Sequence, residues 1–107
     1  MSAIPPRLRT AAYIRDGSQC VPCGVYLPPG QRQAHHRLFL GRGGKHELAN
    51  LITVCRKCHA DIHIHDQETA TCNGWAIPSG GRPTEVPVLY WHSRKVFLSN
   101  SPESEVA

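Results

Sequence analysis

The sequence predicts a small α+β fold with a thin hydrophobic core, and three observations support this prediction. Glycine and proline contribute nine residues each and aromatic residues only 7% of the 107 positions, so turns are numerous and large core side chains are few. Apolar residues recur at helical spacing early in the chain, and short apolar runs typical of strands follow. Four cysteines stand in two C-x-x-C pairs, which offer a metal staple to a chain too short to bury much surface.

The predicted elements begin in the order helix, strand, loop, strand, helix. Helices are expected at 7–15 and from 56 to about 67, and strands at 33–38, 51–54, 86–90 and 95–98. A glycine-bearing segment without periodicity, residues 41–50, is expected to be a loop. We expect a single domain over residues 1–107, with its core at about 18–68 and a C-terminal extension at about 73–100.

Positive charge is concentrated in the first part of the chain. The formal net charge is +4, but residues 1–59 carry nine Lys or Arg and two acidic residues, which gives +7, and the remainder carries −3. A basic body suits a polyanionic partner, because each neutralised phosphate releases counterions. The apolar runs are too short to span a bilayer and the N-terminus lacks a secretory signal pattern. We therefore expect no membrane partner and a reducing, cytoplasmic setting, where cysteines bind metal more often than they pair.

The two cysteine pairs predict a structural zinc site. Cys20 and Cys23 form one pair, and Cys55 and Cys58 form the other. A two-residue spacer lets both sulfurs of a knuckle point at one ion, and two such knuckles from distant segments close a tetrahedral Zn²⁺ site. The alternative is two unrelated pairs of buried thiols.

Four histidines are spaced so that one further metal ion can use them. His59 and His63 lie four residues apart on the second predicted helix, so they share a face and can bind one ion while leaving positions open for water and phosphate. His35 and His36 are neighbours on the first predicted strand. Adjacent strand residues point to opposite faces, so both can face one centre only at a strand end or a twist.

The segment AHHRLFLGRGGKHELANLITVCRKCHADIH, residues 34–63, resembles the HNH endonuclease family. The shared pattern is a residue pair ending in His on a strand, a glycine-bearing loop, Asn-Leu before a second strand, and CH-x-x-x-H at a helix start. Colicin nucleases have a similar run, and the added cysteine pairs are similar to those of small bacteriophage HNH proteins. The resemblance implies a ββα-metal core, here stapled by the four-cysteine zinc site.

The resemblance also implies roles for individual residues. His35, His59 and His63 would be ligands of a catalytic divalent metal. His36 would be the general base, and Asn50 would pin the loop and orient that base. This chain has His35 where many relatives have Asp, and three imidazoles favour Zn, Ni, Co or Mn over Mg. The metal is therefore left open among Mn²⁺, Ni²⁺, Zn²⁺ and Mg²⁺.

The implied activity is metal-dependent hydrolysis of DNA phosphodiester bonds. Basic residues that flank the proposed metal are candidate nucleic-acid contacts: Arg42, Lys45, Arg56 and Lys57. Two alternatives stay open, a non-catalytic zinc-binding module for nucleic acid or protein, and the same chemistry on RNA. By analogy with the bacteriophage proteins, the resemblance suggests genome packaging beside a phage terminase in the cytoplasm of a bacterial host. The sequence indicates no oligomeric state.

Overall fold

The computed structural model describes residues 3–101, so the ends of the predicted domain, 1–2 and 102–107, lie outside the described residues. In chain order the elements are α1 (Pro6–Arg15), β1 (Gln33–His36), β2 (Leu51–Val54), α2 (Arg56–Ala60), α3 (Gln67–Cys72), β3 (Val88–Leu89) and β4 (Lys95–Val96). Within this range β1 pairs with β2 and β3 with β4, both antiparallel. Helices with small antiparallel sheets confirm the predicted α+β class. No described helix is long and apolar enough to cross a membrane.

Helix α1 packs against the first sheet. Pro6 occupies the first turn, where its missing N–H leaves no hydrogen bond unmade, and Gly17 follows the last turn with a φ of +68°. The buried face of α1 centres on Ala12, which packs with Leu48 and Leu51 in a small apolar cluster. The predicted bounds of this helix, 7–15, agree with the structure to within one residue.

The main hydrophobic core is built on β2, of which every residue is buried. The segment that the sequence marked as a C-terminal extension contributes to this same core rather than lying outside it. Apolar side chains of the core come from the whole described chain: Val21, Leu27, Ile52, Val54, Ile62, Ala70, Ala76, Val88, Tyr90 and Leu98. The packing of residues 73–98 therefore supports the strand and helix that carry the candidate His and Cys ligands.

The second predicted helix is interrupted. α2 has α-helical geometry only over Arg56–Ala60, and a π-helical turn follows over Asp61–His65, in which the Asp66 amide donates to the Asp61 carbonyl at 2.8 Å. Asp66 then caps α3 by accepting from the Thr69 amide. The predicted continuous helix from 56 to about 67 is therefore wrong in its second half, and α3 was not expected. Residue spacing did not indicate the π turn, because a rare single-turn insertion in an α-helix leaves little periodic signal.

A buried arginine joins β1 to the C-terminal segment. Arg37 is fully buried, and its guanidinium donates to four backbone carbonyls, those of Ala49, Gly74, Pro83 and Val86. Burial and the positive charge of Arg15 lower the pKa of Arg37 to about 10, so it is still charged at neutral pH. Arg37 therefore stabilises the fold, although it is one of the nine basic residues counted in residues 1–59.

A second buried polar group joins α1, β2 and the C-terminal segment. The Asp16 carboxylate accepts hydrogen bonds from Arg15, from the Thr53 amide at 2.9 Å and from the Tyr90 hydroxyl at 2.6 Å. The Arg15 guanidinium also donates to the carbonyls of Leu48 and Leu51. Arg15 is therefore occupied within the fold, and the surface charge of this half is lower than the formal value.

Replacing Arg37 is expected to destabilise the protein strongly. Arg37→Met should lower the free energy of unfolding by about 3 kcal/mol or more, because several buried carbonyls lose their donor at about 1 kcal/mol or more each. Urea unfolding measures this. Arg82→Met is the control, since within residues 3–101 the exposed Arg82 side chain forms a single ion pair, with Glu85 at 3.8 Å, and its loss should change stability by about 0.5 kcal/mol or less. Equal midpoints for Arg37→Met and the unaltered protein would contradict this role.

Candidate functional site

The four cysteines of the two knuckles meet in one cluster. Cys20 and Cys23 lie on the turn after α1, and Cys55 and Cys58 lie at the start of α2. Their Sγ atoms all lie within 4.8 Å of one another, and none is in a disulfide. Backbone amides donate to two of the sulfurs, Cys55 N to Cys20 at 3.3 Å and Cys58 N to Cys55 at 3.4 Å. The cluster can hold a metal ion such as zinc.

The electrostatics of these thiols indicate what such an ion would do. Burial raises the pKa of Cys20 to about 12, and burial together with the charge of Cys20 raises that of Cys58. Burial also opposes ionisation of Cys55, but hydrogen bonds from Cys58 and its neighbours lower its pKa. Four thiolates this close repel one another, so a divalent cation between them would offset a large electrostatic cost.

His35 presents a nitrogen suited to a metal ion. It is fully buried on β1, and its Nε2 lies 2.7 Å from the Trp75 carbonyl. A carbonyl only accepts, so Nε2 carries the proton and Nδ1 carries the lone pair. That Nδ1 is buried and has no hydrogen-bond partner among residues 3–101. Burial lowers the pKa of His35 to about 3, which keeps the ring neutral. A buried acceptor without a donor is costly, and a metal ion would satisfy it.

His59 and His63 converge on His35. Each ring centroid lies 5.1 Å from that of His35, the two lie 4.8 Å from each other, and one ligand atom from each of the three falls within 4.8 Å of the others. His59 Nδ1 donates to the Gln33 amide oxygen at 2.6 Å, which leaves its Nε2 free for a ligand role. His63 stacks on the Phe39 ring at 4.5 Å. The donor set therefore fits a cation that accepts imidazole ligands.

His36 lines the same cavity from the end of the strand. It is the last residue of β1, and with His35, His59 and His63 it borders one cleft. Its Nε2 lies 3.0 Å from Nδ1 of His46 on the glycine-bearing loop. Burial and the charge of His46 lower the pKa of His36, which favours the neutral ring. Because His36 lies at the end of β1, it can border the same cleft as its neighbour His35. This is one of the two ways in which the sequence analysis expected adjacent strand residues to face one centre.

The side chain of Asn50 closes the base of the glycine-bearing loop. It is buried, its Oδ1 accepts from the Leu38 amide at 2.7 Å, and its Nδ2 donates to the carbonyls of Leu38 and Lys45. Gly44 fits against this closure because an added Cβ would lie 1.8 Å from the Leu38 carbonyl oxygen. Among residues 3–101 Asn50 makes no hydrogen bond to His36; it fixes the loop that carries His46, and His46 contacts His36.

The four predicted nucleic-acid contacts have different surroundings. Arg42 lies nearest the histidines, with its guanidinium 4.4 Å from the Phe39 ring centroid and a hydrogen bond to the Ile77 carbonyl. Lys45 and Arg56 are exposed. Lys57 is also exposed but forms an ion pair with Asp61 at 3.5 Å, which reduces the charge it offers to a phosphate.

Two residues of the site were missed by the sequence reasoning. Gln33 holds His59 and lies two positions before His35, so the alternation of strand residues could have indicated that it faces the same side. His46, which contacts His36, was not among the site residues that the sequence indicated. No local spacing indicates this contact, because it depends on how the loop folds back.

Comparison with known proteins gives one family. The HNH endonuclease family model matches residues 20–64, a segment that begins at the first cysteine of the cluster and ends just after His63. Searches of curated proteins and of solved structures found no match. The match over residues 20–64 confirms the predicted resemblance to the HNH endonuclease family.

Proposed function

We propose that this protein is a metal-dependent endonuclease that hydrolyses DNA phosphodiester bonds with His36 as the general base. The observation that carries the proposal is the buried Nδ1 of His35, without a hydrogen-bond partner in residues 3–101, beside two further imidazoles and in the same cleft as His36. Neutral imidazoles with free lone pairs support metal binding, and a neutral histidine at the edge of the group supports proton transfer.

Two metal sites with different tasks follow from the donor sets. The cysteine cluster would hold a structural Zn²⁺ that fastens the turn after α1 to α2. His35 through Nδ1, His59 through Nε2, and His63 would hold a divalent cation, with Mn²⁺, Ni²⁺ or Zn²⁺ favoured over Mg²⁺ by the all-imidazole set. When bound, that cation supplies Lewis-acid stabilisation of the negative charge that develops on the scissile phosphate.

The protein's own residues would move the proton. If His36 donates through Nε2–H to Nδ1 of His46, its Nδ1 lone pair is free to act as base. Water would then attack phosphorus and pass a proton to His36 Nδ1, and the bond to the 3′ oxygen would break. The 3′ oxygen would take a proton from solvent, which gives a 5′ phosphate and a 3′ hydroxyl. His46 would be a positioning residue, because it fixes the ring and tautomer of His36. Asn50 would fix the loop that carries His46.

The substrate and setting are further parts of the proposal. Arg42, held over Phe39 beside His63, is placed to contact a phosphate bound at the histidines. Lys45, Arg56 and Lys57 would add electrostatic attraction from the periphery. The resemblance to small bacteriophage HNH proteins supports a DNA-processing or packaging role, with a phage terminase as partner, in the cytoplasm of a bacterial host.

The zinc assignment predicts one tightly bound Zn²⁺ that the fold requires. Cys23→Ser should lose the ion and unfold or aggregate, because structural zinc supplies folding free energy directly. Elemental analysis and circular dichroism measure both effects. Cys72→Ser is the matched control, since Cys72 is an exposed free thiol outside the cluster and should keep full zinc content. A folded, soluble protein that contains no zinc would refute the assignment.

The histidine assignment predicts a second metal population that can be removed without unfolding. His59→Ala should abolish binding of the second ion and cleavage of plasmid DNA in Mn²⁺ or Ni²⁺, while the zinc content stays unchanged. His65→Ala is the matched control, since His65 is exposed and lies outside both clusters. Titration calorimetry and gel assays give the two readouts. Full binding of the second ion by His59→Ala would contradict its role as ligand.

If His36 is the general base, its replacement should slow cleavage without weakening the binding of metal or DNA. His36→Ala should keep both metals and bind DNA nearly as the unaltered protein does, yet cut it about 10²–10⁴-fold more slowly. His46→Ala should lower kcat by about tenfold, the equivalent of one hydrogen bond, with little change in KM. His46→Asn should restore most of that loss, because the Asn carbonyl can accept from His36.

Single-turnover cleavage with metal content determined in parallel measures these effects. Cleavage by His36→Ala at the unaltered rate would exclude His36 as base. No difference between His46→Ala and His46→Asn would exclude positioning through this hydrogen bond. Absence of cleavage of DNA and RNA by the unaltered protein, with both ions bound, would favour the non-catalytic zinc module.

A further inference from the structure

Two adjoining clefts beside the histidine centre form a basic groove that the site residues named above do not explain. One cleft is lined by Arg9, Arg32 and Gln33 among others, and the next by Arg32, Gln33 and Arg56. Arg32 and Gln33 line both clefts, and we call the two clefts together the basic groove. No acidic residue lines either cleft.

The three arginines of the basic groove are available to an anion. Among residues 3–101, none of Arg9, Arg32 and Arg56 forms an ion pair, in contrast to Lys57 and Arg82. Arg32 is half-buried, and its guanidinium lies 4.2 Å from the Tyr13 ring centroid, which orients the cation at the cleft. A planar, oriented guanidinium without a carboxylate partner matches phosphate oxygens well.

The basic groove is connected to the histidine centre. Gln33 lines both clefts and accepts a hydrogen bond from His59, and Ala34 borders both the first cleft and the histidine cavity. Arg32 precedes His35 by three residues, which is roughly 10 Å along an extended chain. One strand of B-DNA carries a phosphate about every 3.4 Å along the helix axis, so this main-chain separation corresponds to roughly three nucleotides.

We propose that the basic groove, through Arg9 and Arg32, binds the phosphate backbone of duplex DNA on one side of the cleavage position. This inference rests on the proposed nuclease function and extends it, because it assigns a DNA-binding surface on α1 and the start of β1. The cation held by the histidines and the arginines of the basic groove would then lie along one DNA strand. That strand would follow β1 from His36 toward α1.

The test compares two double variants with the same change in charge. Arg9→Gln with Arg32→Gln removes the groove charges, and Arg94→Gln with Lys95→Gln removes two exposed charges outside both clefts. Affinity for a labelled DNA duplex is measured across a salt series in the full chain carrying His36→Ala, so that the duplex is not cut. The groove variant should have a salt slope shallower by roughly two, and the control should not change.

Several results would overturn the proposal. One is an unchanged salt slope in the groove variant, and another is an equal decrease of the slope in the control variant. A third is a decrease that is seen with duplex RNA but not with duplex DNA. Arg9→Gln alone should make the slope shallower by roughly one, and this exposed residue keeps the test valid if replacing Arg32 lowers stability. If the groove variant binds normally while the unaltered protein cuts plasmid DNA, only the groove assignment fails. If the slope falls but the unaltered protein never cuts, the nuclease proposal fails and the groove assignment holds.

Discussion

The antiparallel pairing of β1 with β2 is the constraint on which the candidate site depends. The register sets Gln33 opposite Val54 and His36 opposite Leu51. Residues of the candidate site flank β2 at both ends: Cys55 and Cys58 follow Val54, and Asn50 precedes Leu51. A slip of one residue would turn His35 away from the buried face and separate it from His59 and His63. Complete burial of β2 makes such a slip costly.

Buried polar groups hold the two ends of this ladder to the rest of the chain. Arg37 ties the end of β1 to carbonyls of the C-terminal segment, and Asp16 ties α1 and β2 to Tyr90. The C-terminal segment in turn supplies the Trp75 carbonyl that fixes the tautomer of His35. Residues 73–98 therefore support the histidine centre, through the hydrogen bond of Trp75 that orients the His35 ring.

Spacing in the sequence was enough to predict the parts of the structure that local rules govern. The helix after two prolines, the LITV strand and the gathering of the two cysteine pairs all follow from short-range patterns. The grouping of His35, His59 and His63 was predicted through the family pattern and from the spacing on the helix. The nuclease roles of these residues remain proposals.

What the sequence did not predict depends on contacts between distant segments. The π turn at 61–65, the contact of His46 with His36 and the burial of Arg37 have no local signature. From the sequence alone an arginine is expected at the surface, because this residue type is mostly exposed. Arg37 is buried only because the folded chain places four backbone carbonyls around its guanidinium. The same limit applies to charge: part of the basic excess in residues 1–59 lies inside the fold, and the accessible part includes Arg9, Arg32 and Arg56.

The most direct test of the account is the position of the second metal ion in crystals of the protein loaded with Ni²⁺. Anomalous diffraction at the Zn and Ni edges distinguishes the two ions. The account predicts zinc among the four cysteines and nickel at about 2.0–2.1 Å from Nδ1 of His35, with His59 and His63 as further ligands. Nickel bound elsewhere, or a His35 ring that turns away from the ion with Nε2 still on the Trp75 carbonyl, would contradict it.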